Sequence, residues 1–303
     1  VTLARVARAY HEKFIEPKLS TAQSARWIGA LEIHVPAALW HKPITEIGRA
    51  ELLDFFLDIQ GRMADTAQRV RRRLDEIYDD AAERGMVDGN PVAGLRDKLR
   101  RRHVSHPVTP RPSLPFPEVP DFMRALRAQE GIAARCLEFV ILTAARTGEA
   151  IGASWDEIIG DVWTVPVERM KGGEAHAVYL PPRAVEILKA QREIGSAWVF
   201  PSPTDTRRPL SNMAMLALLR RMERVDITVH GFRASFSTWA NETDAARPDV
   251  IEACLAHREN DRIRAAYNRS KFTADRRALL LAWAAYVGGE SAKVIQLRGD
   301  QAA

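Results

Sequence analysis

Up to residue 97 the apolar positions recur at spacings of three and four, the period of helices that bury one face. Leu3, Val6, Tyr10 and Phe14 form a first stripe behind Thr2, a residue type whose side chain can cap a helix N-terminus. Trp27, Ile28 and Leu31 form a second after Ser20-Thr21, and Leu52, Leu53, Phe56 and Ile59 a third. Val70, Leu74, Ile77, Tyr78 and Ala81 make a fourth, stopped by Gly85 and then Asn90-Pro91. The expectation for 1–97 is a small four-helix bundle.

The pattern then breaks. Residues 98–120 read KLRRRHVSHPVTPRPSLPFPEVP and hold six of the 17 prolines, behind the run Arg100-Arg101-Arg102. Proline fixes φ and withholds a backbone donor, so the stretch is expected to be an extended, semi-rigid linker, with a domain boundary in it at 98–115. Beyond it the periodicity is mixed. Phe122 to Leu142 reads as two helices broken near Gly131. Val162-Trp163-Thr164-Val165 and Ala175 to Leu180 read as strands, joined by a hairpin turn at Lys171-Gly172-Gly173. Helices are expected again at 182–194, at 212–224 behind Ser211, and from His230 to about Tyr286. The second domain, 116–287, is thus expected to be mainly helical with a small antiparallel sheet, followed by a tail at 288–303.

Composition narrows the class. Of 303 residues, 46% are hydrophobic and 27% charged, which excludes disordered, collagen-like and coiled-coil chains. No apolar run approaches the ~18 residues of a membrane span, and the first residues become charged too early for a signal peptide. Cys136 and Cys254 offer neither a disulfide framework nor a CxxC site. A soluble, cytoplasmic protein is expected. Lys and Arg total 44 against 39 Asp and Glu, a net charge of only +5, but 36 of the 44 are Arg. Arginine's planar fork grips phosphate where lysine offers a hydrated point charge. Genomic nucleotide bias is the more ordinary explanation of such usage, so charge alone does not establish a nucleic-acid partner. The seven Trp and the pair Met213 and Met215 are read as core; His103 and His106 lack a third metal ligand nearby.

The candidate chemistry lies in an ordered set. Thr143 to Glu149 (TAARTGE) ends an apolar helix and places Arg146 and Glu149 beside a glycine turn. Lys171 follows Glu168-Arg169-Met170, His230-Gly231-Phe232-Arg233 is an H-x-x-R motif opening a helix, and His257 precedes Tyr267 by ten residues. One H-x-x-R is about what chance supplies in such a chain. Singly, each residue has an ordinary structural reading: a packed Tyr, an Arg on helix carbonyls, a turn Lys, a His at a helix end. Together, in the order Arg, Lys, His-x-x-Arg, His, Tyr, they resemble the tyrosine recombinases, the phage-type integrases, and within them the P4-type integrases of prophages and genomic islands. The resembling phrases are LTAARTGEAIGASWDEI, ERMKGGEAHAVYLP, LSNMAMLALLRRM, ITVHGFRASFSTWA and LAHRENDRIRAAYNRS.

That resemblance implies a core-binding, SAM-like four-helix domain at 1–97 and an α+β catalytic domain at 116–287. It implies a site-specific recombinase that cleaves and rejoins DNA, integrating or excising a mobile element. Tyr267 is its nucleophile, Arg146 and Arg233 stabilise the phosphoryl charge, and Lys171 is the general acid. His230 assists deprotonation, His257 contacts the phosphate, and Glu149 orients Arg146 or His230. No metal or cofactor is expected. The partners implied are the core sequences of double-stranded DNA attachment sites, a homotetramer in synapsis with a monomer when free, and excision and DNA-bending accessory proteins, in the bacterial cytoplasm at the nucleoid. Arg100, Arg101, Arg102 and Arg111 are expected to follow DNA phosphates. The arm-binding domain that commonly precedes the core-binding helices has no counterpart in this sequence, which opens on Val1. Two other readings compete: a catalytically silent DNA-binding regulator, which should lack one of the site residues, and a type IB topoisomerase-like relaxing enzyme.

Overall fold

A computed structural model describes residues 1–102, 112–170, 172–257 and 272–289. The chain divides into two compact units, Val1–Val108 and Thr109–Ala303.

The first unit is wholly helical: α1 (Leu3–Tyr10), α2 (Thr21–His34), a single turn α3 (Ala37–Trp40), α4 (Arg49–Arg62), α5 (Ala64–Glu83) and α6 (Leu95–Arg102). Thr2 caps α1, accepting from the Arg5 N–H, and Ser20 with Gln23 forms a capping box on α2. The core joins the stripes: Leu3, Leu31, Leu52, Phe56, Val70, Leu74, Ile77 and Tyr78 are fully buried. The first stripe loses its register after Tyr10. There α1 passes into a π-turn, His11–Ile15, which swings His11 inward against Trp27 and sets its Nε2 2.8 Å from Ser24 Oγ.

The reading of 98–102 as extended linker is corrected. Those residues finish α6, because Val92, Leu95 and Leu99 bury a face at helical spacing that the charges of LRDKLRRR conceal. Arg100 and Arg101 are exposed on this helix, and Arg111 lies outside the described residues. At the other end of the linker, residues 112–114 are strapped onto the second unit. Pro112 O accepts from Thr228, and Leu114 O from the Ser235 hydroxyl.

In the second unit α7 (Val119–Arg127) begins with Pro120 in its first turn, where a missing N–H costs nothing. It leads to α8 (Ile132–Thr143), α9 (Thr147–Ile151), strands β1 (Ile158–Ile159), β2 (Val162–Val165) and β3 (His176–Tyr179), then α10 (Pro182–Arg192), α11 (Ala214–Arg221), α12 (Gly231–Glu242), α13 (Pro248–Cys254) and α14 (Thr273–Val287). Helix α8 runs through the middle: Cys136 to Thr143 are all buried, and α7, α9, α10, α11 and α14 pack around it. The sheet is antiparallel in the order β1-β2-β3. Val165 pairs with His176, so residues 166–175 connect β2 to β3. The hairpin turn expected at Lys171-Gly172-Gly173 thus falls within a ten-residue connection, which opens with a 3-10 turn at Val167–Arg169 and in which the Gly173 N–H donates to Met170 O at 3.1 Å.

Five tryptophans are core, but Trp155 and Trp198 are half-buried, with their indole N–H groups on Ser196 O and Arg207 O. Met215 is buried and Met213 exposed, which corrects its reading as core. Among the described residues no helix is long and apolar enough to cross a membrane.

Candidate active site

Two helix ends build the site, and each ends on an alanine in the left-handed region. Ala144 (φ 51°) follows α8, and Ala256 (φ 48°) follows α13. At α13 the His257 N–H returns to Glu252 O and the Ala256 N–H to Ala253 O, the paired bonds of a Schellman ending. Such an ending leaves the next carbonyls, Leu255 O and Ala256 O, without helical donors. Arginines supply them.

Arg146 caps α9. Its backbone N–H donates to Glu149 Oε2 at 2.8 Å, its Nη1 to Glu149 Oε1 at 2.7 Å, and its Nη2 to Ala256 O at 3.1 Å and Leu255 O at 3.3 Å. Glu149 is buried, so this carboxylate fixes the Arg146 side chain as well as its backbone. Arg233, in the first turn of α12, is only 5% exposed. It donates from Nη1 to Ala144 O and from Nη2 to Leu255 O at 2.6 Å. Both guanidiniums therefore meet at the end of α13.

Burial, and then the neighbouring Arg146 charge, lower the Arg233 pKa from its ordinary value to about 10. It is still a cation at neutral pH. The first turn of a helix disfavours a cation through the macrodipole and favours an anion, so the position suits a bound anion better than an empty fold.

His257 lies beside this pair. Its Nε2 is 3.3 Å from Arg233 Nη2 and its Nδ1 is 2.7 Å from Glu252 Oε2. The ring is exposed. His230 is exposed at the N-cap of α12, where its carbonyl accepts the Arg233 N–H at 3.1 Å. Gly231 between them has a steric reason: a Cβ there would stand 2.5 Å from Pro112 O and 2.8 Å from Ser113 Cα. The structure thus brings Arg146, Glu149, Arg233 and His257 together, with His230 on the same helix turn as Arg233. Lys171 and Tyr267 lie outside the described residues.

Apart from Glu149, sequence reasoning missed the partners of these groups. Glu252, five residues before His257, holds its ring. His176 on β3 is buried, with its Nδ1 3.3 Å from Arg276 Nη2 of α14. Burial, then the Arg276 charge, push the His176 pKa down to about 4, so the ring is neutral. Arg276 also donates to Ala177 O. Alternation along β3 could have flagged His176 as inward-facing. Nothing in the sequence points to Glu252.

Residues 113–274 match the model of the phage integrase family and residues 3–98 that of the phage integrase central domain. The chain belongs to the phage integrase family. It is 32% identical to prophage integrase IntA of Escherichia coli over 263 residues, 84% of this chain and 62% of that one, and 35% identical to prophage integrase IntZ of the same organism over 257 residues, 83% and 62%. It is 27% identical to the integrase of enterobacteria phage P4 over 320 residues, 98% and 71%. The chain thus spans about 62% of the length of IntA and IntZ. Its fold is that of a lambda integrase fragment crystallised as a dimer on a COC′ core site, with a TM-score of 0.67 at 18% identity over 86% of this chain and 96% of that one. The Tn1549 transposon integrase bound to circular-intermediate DNA gives 0.64 at 12% identity, over 91% and 98%.

Proposed function

We infer that this chain is a site-specific recombinase that cleaves and rejoins DNA strands through a 3′-phosphotyrosyl intermediate on Tyr267. The observation that carries the reading is the meeting of Arg146 and Arg233, distant in sequence, on the neutral carbonyls of Ala144, Leu255 and Ala256. Two guanidiniums held this way suit the charge that builds on a phosphodiester's non-bridging oxygens during attack.

The Tyr267 phenol has an ordinary pKa near ~10 and needs help to lose its proton. His230 takes that proton as the phenolic oxygen bonds to phosphorus and the bond from phosphorus to the 5′ oxygen breaks. Lys171 protonates the leaving 5′ oxygen, and His257 donates to the phosphate. The phosphoester count is unchanged, so a 5′-hydroxyl from another strand reverses the step without ATP. Residues 1–97 act as the core-binding domain and 116–287 as the catalytic domain. Arg100, Arg101, Arg102 and Arg111 lie near phosphates. Double-stranded DNA and a synaptic tetramer are the partners. The lambda integrase tetramer on a Holliday junction, whose fold this chain shares with a TM-score of 0.67, supports that assembly.

Trapping on nicked suicide duplexes tests the reading. A detergent-resistant protein–DNA adduct is expected with the wild-type chain and none with Tyr267→Phe; an adduct that persists in the variant rejects Tyr267 as nucleophile. Reversing the four arginine charges should flatten the salt dependence of DNA binding.

A further inference from the structure

The loop between β2 and β3 enters through Arg169, and its side chain reaches back to α9. From the end of the 3-10 turn, Arg169 donates from Nη1 to Glu157 Oε1 and from Nη2 to the backbone carbonyl of Glu149. Glu157 is itself buried, and its other oxygen accepts the indole N–H of the fully buried Trp163 at 2.8 Å. The guanidinium therefore ties the start of the loop to two places at once. One is the sheet core, through Glu157 and Trp163. The other is α9, at the residue whose carboxylate fixes Arg146. Gly152, after α9, leaves the room: a Cβ there would stand 2.8 Å from Arg169 Nη2 and 3.3 Å from Cζ.

We propose that Arg169 is a positioning residue for Lys171, coupling the loop that carries the general acid to the helix that carries Arg146. The proposal rests on the recombinase reading. Lysine at 169 cannot replace the fork, because one ammonium on a flexible stem does not hold a carboxylate and a carbonyl in one plane. A proton donor displaced by about 1 Å costs on the order of a hundredfold in rate.

The test uses the full 303-residue chain and a duplex selected from a randomised library by covalent capture with wild type. That duplex is made as a nicked suicide substrate in two forms, with the ordinary 5′ oxygen or with sulfur in its place at the scissile bond. A thiolate leaves without protonation, so only defects in delivering the proton are rescued by sulfur. Arg169→Ala and Arg169→Lys are expected to cleave ordinary DNA about 10- to 100-fold slower than wild type, and the sulfur substrate within about threefold of it. Gly152→Ala, whose added methyl displaces the guanidinium with no change of charge, is expected to show the same split to a smaller degree. Arg233→Ala should be slow on both substrates. Variants at 169 that cleave ordinary DNA at the wild-type rate, or that are slow on both substrates alike, overturn the proposal. A wild-type chain that captures no duplex overturns the recombinase reading beneath it.

Discussion

Two arginine clusters in the second unit, both built around a glutamate of the α8–α9 region, differ in how they are satisfied. Glu138 is completely buried on α8 and takes four hydrogen bonds: from Arg127 Nε at 2.8 Å, Arg135 Nη1 at 2.9 Å, and Arg183 Nε at 2.9 Å and Nη2 at 3.2 Å. Burial pushes its carboxyl pKa up, but hydrogen bonds and charge from Arg183 and Arg127 outweigh burial and hold it below the ordinary value of 4.5. The same contacts raise Arg183. Arg233 shifts the other way. Its guanidinium reaches neutral carbonyls and the His257 ring, and burial with Arg146 nearby lowers its pKa to about 10. The first cluster pins α7, α8 and α10 by neutralising charge. The second holds the Arg233 cation on carbonyls that do not neutralise it, which is what the proposed phosphate contact requires.

The strongest way to break the contrast is Arg233→Met. Cleavage in the suicide assay should fall about 10³-fold, the scale of losing one preorganised donor to a developing oxyanion. Stability should fall by only about 1–3 kcal/mol, for the Ala144 carbonyl left without a donor and the Leu255 carbonyl left with Arg146 alone. Urea unfolding beside single-turnover rates separates the two.

Glu138→Gln should behave in the opposite way. Removing the carboxylate strands three arginines and should cost about 3 kcal/mol, the low end for a broken buried pair because all three reach solvent. Cleavage per folded molecule should stay within about twofold of wild type, since the four bonds of Glu138 end on α7, α8 and the start of α10. An equal loss of cleavage in the two variants would erase the distinction.

Proton linkage sharpens it further. The Glu138 carboxyl has a lowered pKa in the fold, so its contribution is present above 4.5 and is lost as pH falls below that value. His176, beside the arginine site, acts earlier. Its folded pKa is about 4 against 6.5 for an ordinary histidine. Between those values the unfolded chain binds a proton that the folded chain does not, so stability falls as pH falls, by about 3 kcal/mol in all, and below about 4 no more is lost. Unfolding midpoints at pH 7, 6 and 5 should decline in wild type and flatten in His176→Gln. A variant that keeps the wild-type slope removes His176 as its source.

Much of this fold can be read from the chain. The apolar stripes of α1, α2, α4 and α5, the break at Gly131 and the pairing of β2 with β3 all follow from periodicity and turn chemistry. Helix α6 was hidden because a short helix with two buried leucines among five basic residues looks like a charged linker. β1 was hidden because two residues show no alternation. At the site, the sequence named Arg146, Arg233 and His257 as candidates and Glu149 as an orienting group, but not the carbonyls that hold the two guanidiniums. Carbonyls carry no sequence signal, and Leu255 and Ala256 become acceptors only because α13 ends where it does.

That ending is itself a measurable difference between the clusters. Among the described residues five non-glycine positions have positive φ, and two of them, Ala144 and Ala256, lie where carbonyls meet the arginines. The left-handed region costs an L-residue about 1–2 kcal/mol, and glycine avoids that at an unfolded-state entropy cost of about 0.5–1 kcal/mol. Ala256→Gly should therefore stabilise the chain by about 0.5–1 kcal/mol. The gain should be smaller for Ala144→Gly, because the Ala144 methyl is buried and its packing is lost. Backbone strain at such positions persists when the surrounding structure over-determines it, and here the surroundings are the two guanidiniums. The gain at 256 should thus be larger in an Arg233→Met background, where Leu255 O keeps only its 3.3 Å bond from Arg146. If denaturation shows the same gain in both backgrounds, the strain belongs to the helix ending alone and the arginines do not impose it.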